Sequence, residues 1–158
     1  MNFNQWIAEQ FPQLVGQVQL IPEVLERDAQ QTEFTLTPWD YIDRLATNER
    51  QIIGQKYLVE LNAELNRISD EYCVSPSLLL AIWGVETNFG RNLGTIPIGS
   101  ALATLAFSGR IRRRPYFTAQ LEYFCSGIHS PKGMRNPGCG GWAGDYGNMQ
   151  TMSDTYVK

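Results

Sequence analysis

Residues 78–85, Leu-Leu-Leu-Ala-Ile-Trp-Gly-Val, are apolar at every position. A helix built from them has no polar side to turn toward water, and a helix apolar all round is normally buried all round. The run is far shorter than the ~20 residues needed to span a bilayer, so it reads as the central helix of a packed core. Ser75-Pro76 supplies an N-cap followed by a first-turn proline. The exit is Glu86-Thr87-Asn88-Phe89-Gly90, a turn-forming sequence that places one carboxyl group at the end of the apolar helix.

Helical spacing recurs on both sides of this segment, with no convincing alternating strand. Phe3, Trp6, Ile7, Phe11 and Leu14 predict a short first helix ended by Pro12 or Gly16. Residues 17–37 read as an irregular crossing segment. Thr37 and Pro38 open a second helix carrying Trp39, Tyr41, Ile42 and Leu45. The longest helix is expected over 48–72, its stripe formed by Ile52, Ile53, Tyr57, Leu58, Leu61, Leu65 and Ile68. Ser100 is placed as the cap of a helix over 101–107, and a further helix over 113–126 presents Tyr116, Phe117, Leu121 and Phe124. From Gly127 onward the chain reads as loop. The expectation is a single all-α domain over 1–158, with N-terminal helices and crossing segment in 1–47 and a helical core and loop in 48–158.

Composition narrows the function. Apolar residues make up 43% and charged residues 18% of the 158, which fits a globular chain rather than a disordered one. The formal charge of −3 argues against nucleic acid, whose backbone calls for a concentrated positive field. No apolar stretch is long enough for a transmembrane helix. The N-terminus lacks the basic start and apolar middle of a secretory signal, so the protein is either cytoplasmic or exported by a signal outside this chain. Three cysteines, Cys73, Cys125 and Cys139, and one histidine, His129, have no metal-ligand spacing. Free thiols are expected, with a Cys125–Cys139 disulfide as the alternative in an oxidising compartment.

Glu86 carries the chemical interest. Held against Ile82, Trp83 and Phe89, a carboxylate would lose water; desolvation penalises the charged form, so burial would keep the proton in place near neutral pH. A neutral carboxylic acid facing a cleft suits glycosidic cleavage, in which the leaving oxygen takes a proton as its bond breaks. The structural alternative is a glutamate that merely caps the helix or pairs with an arginine.

The run Ala81-Ile82-Trp83-Gly84-Val85-Glu86-Thr87-Asn88-Phe89-Gly90 resembles the catalytic-helix motif of the MltB-type lytic murein transglycosylases, glycoside hydrolase family 103. Glu33-Phe34, Trp39-Asp40-Tyr41-Ile42-Asp43, the helix from Ala101 to Phe107, Arg112-Arg113 with Tyr116-Phe117, and the glycine-rich stretch from Gly140 to Tyr156 extend the similarity over roughly residues 21–158. The resemblance implies a lysozyme-like fold and cleavage of the β-1,4 bond between N-acetylmuramic acid and N-acetylglucosamine without water. Glu86 would act as the single acid and base, the substrate's N-acetyl group standing in for a second carboxylate, and the C6 hydroxyl would close on C1 to leave a 1,6-anhydromuramoyl end. No cofactor or metal is implied. The partner would be peptidoglycan glycan strands, and the location the periplasm or cell envelope, where that polymer lies.

By the same residue-wise comparison, Tyr41 and Gln150 match sugar-contacting cleft residues. Arg112 and Arg113 match arginines that meet a peptide or lactyl carboxylate, a role suited to the two-pronged guanidinium. Without the resemblance Tyr41 reads equally as a core aromatic, and the arginines as a solvated helix start. Gly141 stands where the family has a serine that orients the catalytic carboxyl and the substrate, so that support would be missing. Asp145 replaces a small apolar residue, Thr151 an aromatic, and Ser153-Asp154 a proline-serine pair. The family continues beyond Lys158, which leaves a shortened or engineered chain with a polar new end, the reading favoured, or a diverged member with a reshaped cleft. Two rival functions follow: a catalytically weak peptidoglycan-binding fragment, and a hydrolase using Asp145 to activate water.

Overall fold

The computed structural model describes residues 1–30, 37–128 and 138–157. In chain order the helices are α1 (Phe3–Gln10), a 3-10 turn (Pro12–Leu14), α2 (Pro22–Ala29), α3 (Pro38–Leu45), α4 (Asn48–Glu60), α5 (Asn62–Tyr72), α6 (Pro76–Thr87), α7 (Ile98–Ser108), α8 (Arg114–Ile128) and α9 (Ser153–Val157). Two short strands, β1 (Ile96–Pro97) and β2 (Cys139–Gly140), pair antiparallel, Ile96 opposite Gly140. The chain divides into two compact units, Met1–Gln31 with Leu93–Lys158, and Thr32–Asn92. The all-α expectation holds. Glu33, Phe34, His129 and the loop prolines Pro131 and Pro137 lie outside the described residues.

In the first unit the central helix is α7, not the apolar run of α6. Every residue of α7 from Ile98 to Ala106 is buried. Its sequence, Ile-Gly-Ser-Ala-Leu-Ala-Thr-Leu-Ala, alternates small residues with leucines, so neighbouring elements approach from all sides. A β-carbon at Gly99 would already press on Phe124 Cε1 at 3.0 Å and Val18 Cγ1 at 3.2 Å. Phe117, Leu121 and Phe124 of α8 complete the core, each such buried side chain stabilising by about 1.5–3 kcal/mol. The polar residues of α7 are tied down: Ser100 Oγ accepts the Gln19 amide at 3.1 Å and Thr104 Oγ1 accepts that of Ile21 at 3.0 Å. Ser100 is thus inside the helix, not its cap.

Helix α1 begins with a capping box between Asn2 and Gln5, and packs Phe3 and Trp6 against Phe107, ring centroids 5.5 Å apart in both cases. The supposedly irregular stretch 17–37 contains α2, opened by Pro22 at its first turn. Only one narrow stripe of this helix is apolar, and its fully buried residues are Val24 and the acid Asp28, which hides the helical period from a hydropathy reading.

In the second unit Thr37 caps α3 as expected, accepting the Asp40 amide at 3.2 Å, and Thr47 caps α4. The long helix expected over 48–72 is two, broken at Leu61, whose backbone (φ −105°, ψ 20°) leaves the helical region. α6 packs on α4 and α5 through Leu80, Gly84 and Thr87, its buried residues. These recur at four and three residues and so form one stripe. The opposite side of α6 is open: Leu78, Ile82 and Val85 are 53%, 41% and 38% exposed. Ser75 precedes Pro76 as predicted, but its side chain makes no capping bond.

Candidate active site

Glu86 occupies the last turn of α6, and the residues after it fix where that turn ends. Asn88, Phe89 and Gly90 all have positive φ, 50°, 58° and 79°, a left-handed path that costs energy for the two residues bearing a β-carbon. Local bonds hold it. The amide of Asn88 donates to Gly84 O at 3.1 Å and that of Phe89 to Trp83 O at 3.2 Å. Thr87, fully buried, donates its hydroxyl to Trp83 O at 3.2 Å and accepts the Gly90 amide at 3.0 Å. This reversal turns the Phe89 ring back between α4 and α6. There it meets Trp83 edge-on with centroids 5.5 Å apart, and Tyr57 at the same distance.

Gly84 and Gly54 make room for that ring. A β-carbon at residue 84 would lie 2.8 Å from Phe89 Cζ, and one at residue 54 would lie 3.5 Å away. The motif residues around Glu86 are therefore a mechanical unit. Gly84 admits the ring, Phe89 anchors the reversal, and Thr87 satisfies its backbone.

The carboxyl group itself is exposed and forms no hydrogen bond or ion pair with any described residue. The expected burial against Ile82, Trp83 and Phe89 is absent. Its physical reason is the helix stripe: Trp83 and Phe89 face the packed side of α6, whereas Ile82 shares the open side with Glu86. The alternative of a capping or ion-paired glutamate is not realised among the described residues either.

Tyr41, on α3, is 42% exposed and lines a cavity of about 350 Å³ together with Ile42, Leu45, Leu80, Ala81 and Val85. The α6 side of this cavity ends at the residue before Glu86. Its walls are mostly apolar, and two of its polar side chains, Arg50 and Gln51, are turned to backbone carbonyls. Arg50 donates to Leu45 O at 2.6 Å and Gln51 to Ala46 O at 2.9 Å, closing the C-terminal end of α3.

The first unit holds the remaining predicted residues. Arg113 does not stand free for a substrate carboxylate: its Nη1 is 2.7 Å from Asp28 Oδ1, and its guanidinium sits 4.8 Å over the Phe117 ring. Asp28 also receives Arg110, by Nε at 3.3 Å and by the backbone amide at 3.0 Å. With Asp28 2% exposed, this is a buried charge held by two guanidinium groups and an amide. Sequence reasoning missed it; the available signal was an arginine run lacking a nearby acid. Arg112, by contrast, is exposed and engages no described residue.

The glycine-rich segment is a folded loop. The Gly141 amide donates to Asp145 O at 2.8 Å and the Gly144 amide to Gly141 O at 3.1 Å. Tyr146 and Thr151 then form an antiparallel bridge. Gln150 closes the turn between them with φ 45°, its side-chain amide donating to Gly147 O at 2.8 Å. The polar replacements are not a solvent-facing edge: Ser153 is fully buried and Thr151 half-buried. Asp145 is half-buried, and burial pushes its carboxyl up from the usual carboxylate range, opposed by hydrogen bonds from its own amide and that of Ala143. Cys73, Cys125 and Cys139 are free thiols. Among the described residues no group of three or more His, Cys, Asp or Glu is placed to hold a metal.

The sequence matches the family described as the transglycosylase SLT domain over residues 3–158. The chain belongs to that family. Its kinship is with the MltB type: it is 37% identical over 94 residues to membrane-bound lytic murein transglycosylase B of Escherichia coli (strain K12), an alignment covering 60% of this chain and 26% of that protein. Among solved structures it resembles SltB3 of Pseudomonas aeruginosa in complex with NAG-NAM-pentapeptide, with a TM-score of 0.87, 30% identity, 98% of this chain and 44% of that one. It also resembles the Escherichia coli lytic transglycosylase SLT35 in complex with bulgecin A, with a TM-score of 0.80, 27% identity, 98% of this chain and 51% of that one. The chain therefore spans about half or less of the relatives it matches. These likenesses place the α-helical architecture with the lysozyme-like transglycosylases.

Proposed function

We propose that this chain is a lytic transglycosylase acting on the glycan strands of peptidoglycan in the cell envelope, with its two units working as a single domain and Glu86 as the one acid and base. The observation that carries the reading is the Glu86 carboxyl group. It is exposed and unengaged among the described residues, yet stands on a helix end fixed by Gly84, Thr87 and Phe89. Support comes from the family, and from SltB3, whose complexes contain NAG-NAM-pentapeptide and NAG-anhNAM-pentapeptide.

In the proposed cycle a glycan strand lies over the open side of α6 and covers Leu78, Ile82 and Val85. Water then leaves the neighbourhood of Glu86, which donates its proton to the glycosidic oxygen as the bond to C1 breaks. The N-acetyl carbonyl of the muramoyl unit assists departure. Glu86, now a carboxylate, takes the proton of the C6 hydroxyl, whose oxygen bonds to C1 and closes the 1,6-anhydro ring. Tyr41 offers a ring face to sugar, Gln150 and the loop around Gly141 contact the strand, and Arg112 meets a peptide or lactyl carboxylate. Arg113, committed to Asp28, serves by anchoring the start of α8.

Muropeptide analysis of purified sacculi after incubation with wild type and Glu86→Gln tests this reading. Anhydro-ended products from wild type and none from the variant are expected, loss of a general acid and base costing at least about 10²–10⁴-fold. Reducing ends would point to hydrolysis and bring Asp145 forward as the second carboxylate. Equal lysis by both proteins would end the proposal.

A further inference from the structure

Asp28 of α2 grips the turn before α8 at both ends. Its Oδ2 accepts the Arg110 amide at 3.0 Å, and its Oδ1 receives Arg110 Nε at 3.3 Å and Arg113 Nη1 at 2.7 Å. The turn is also closed from within, since Arg110 O accepts the amides of Arg113 at 2.8 Å and Arg114 at 3.2 Å. Arg114 Nε donates to Gly109 O at 2.7 Å, and Gly109 presses on α7, where a β-carbon would lie 2.5 Å from Leu105 O. Three of the four arginines in residues 110–114 are thus bonded inward. Arg112, the fourth, is exposed and engages no described residue. Both carboxylate oxygens of Asp28 are occupied, and the neighbouring guanidinium groups repel a further cation, so Arg112 is held outward on a fixed turn. One acid, 2% exposed, offsets only part of the positive charge of this run, and the surplus field favours an anion at Arg112.

We propose that Asp28 is a positioning residue for the transglycosylase reaction: by fixing the 110–113 turn it aims Arg112 at a carboxylate of the glycan strand. The inference rests on the transglycosylase reading for the Arg112 contact, and adds to it an acid that governs this contact without touching the ligand. A mobile surface arginine loses backbone and side-chain freedom when it captures an anion. A turn fixed in advance loses less, and its guanidinium fork can then donate two parallel hydrogen bonds. Asp28 therefore acts only on ligands that carry a carboxylate, because a strand without one makes no use of Arg112. Its effect is selectivity for strands bearing peptide or lactyl carboxylates over plain amino-sugar polymer.

Calorimetric titration of the Glu86→Gln protein, which avoids turnover, tests this with two tetrasaccharides. One alternates NAG and NAM and bears pentapeptides; the other is a β-1,4-linked N-acetylglucosamine tetramer, which has no carboxylate. Arg112→Ala is expected to weaken the peptide-bearing ligand about tenfold relative to the plain tetramer, the effect of one charge-assisted hydrogen bond. Asp28→Asn keeps the shape but, whichever way its amide faces, sets an N–H against a donor of the turn. It should weaken the peptide-bearing ligand about fivefold and the plain tetramer less than about twofold. Added to Arg112→Ala it should weaken the peptide-bearing ligand no further, a coupling between two side chains that do not touch. Arg113→Lys, which loses the fork on Asp28, should repeat the pattern to a smaller extent, and it carries the test if Asp28→Asn does not fold. Equal weakening of both ligands would make Asp28 merely structural and overturn the proposal, as would losses at 28 and 112 that simply multiply. If the Glu86→Gln parent binds neither ligand, the transglycosylase reading and this inference fail together. If Arg112→Ala leaves the discrimination intact, the Arg112 contact and this inference fail while the enzyme class stands; if Arg112→Ala lowers it and Asp28→Asn does not, only this inference fails.

Discussion

Replacing Gly84 by alanine sets two effects of known size against each other. Alanine is about 1 kcal/mol more favourable than glycine inside a helix. The added β-carbon, however, lands 2.8 Å from Phe89 Cζ and 3.2 Å from Cε1 and Cε2. The ring cannot slide away freely: it is 7% exposed, held edge-on by Trp83 and flanked by Tyr57. Overpacking of this kind costs about 1–3 kcal/mol, so Gly84→Ala should lose a net 0–2 kcal/mol, roughly 2–4 °C of midpoint per kcal/mol at this chain length. The larger consequence is functional. Phe89 is three residues from Glu86 on a left-handed path, and a shift of the ring moves the end of α6. A misplacement near 1 Å can cost about 10²-fold in rate. Urea unfolding followed by tryptophan fluorescence, together with turnover of sacculi, measures both quantities. Phe89→Leu in the Gly84→Ala background should recover part of the stability by shortening the obstructing side chain. A Gly84→Ala protein about 1 kcal/mol more stable than wild type, with unchanged turnover, would show that the ring yields and that the motif glycine is no spacer.

Asp28→Ala should destabilise the chain by about 1–3 kcal/mol, since it removes the acceptor of the Arg110 amide and of two guanidinium groups that keep part of their water; a loss under 1 kcal/mol in denaturant titration would show that water replaces the acid. Thr87→Val keeps the shape but removes the hydroxyl that accepts the Gly90 amide, and should cost about 1–3 kcal/mol, with turnover falling further than stability. Burial raises the Asp145 carboxyl above its ordinary value of 3.8, so the folded state holds its proton longer than the unfolded one. Stability from that proton is fully present below pH 3.8 and is lost as pH rises through the folded value. Asp145→Asn should therefore match wild type in thermal midpoint at pH 3 and exceed it at pH 7, and the reverse order would contradict the assigned cause.

Capping was legible in part. Thr37 accepts an amide three residues on and Pro38 and Pro76 open helices as read, whereas Ser75 makes no capping bond, Ser100 lies inside α7, and the caps at Asn2 and Thr47 and the helix-opening Pro12 and Pro22 went unread. α2 escaped because its stabilising contacts are long-range, through Asp28 to the arginines before α8, and such contacts leave no periodic trace. The break at Leu61 escaped because nothing in Val-Glu-Leu-Asn-Ala forbids a helix. Asp145 and Gly141 could be seen as departures, but the amide-to-carbonyl bond that joins them leaves no mark in the sequence.

The exchange of roles between α6 and α7 is the most instructive difference. Hydropathy ranks the two helices together, yet α7 is buried throughout and α6 on one stripe only. Side-chain size separates them. A helix surrounded by other elements needs small residues for close approach, and α7 has Gly99, Ser100, Ala101, Ala103, Thr104 and Ala106; α6 has bulky Leu78, Ile82 and Val85, all three partly exposed. Exposed apolar side chains are costly to leave in water, and here they border an exposed carboxyl group on a rigid helix end. That combination makes little sense as core and good sense as one wall of a cleft. The apolar run constrains the fold through its Leu80–Gly84–Thr87 stripe, and on the proposed function its other side is apolar because glycan packs on it.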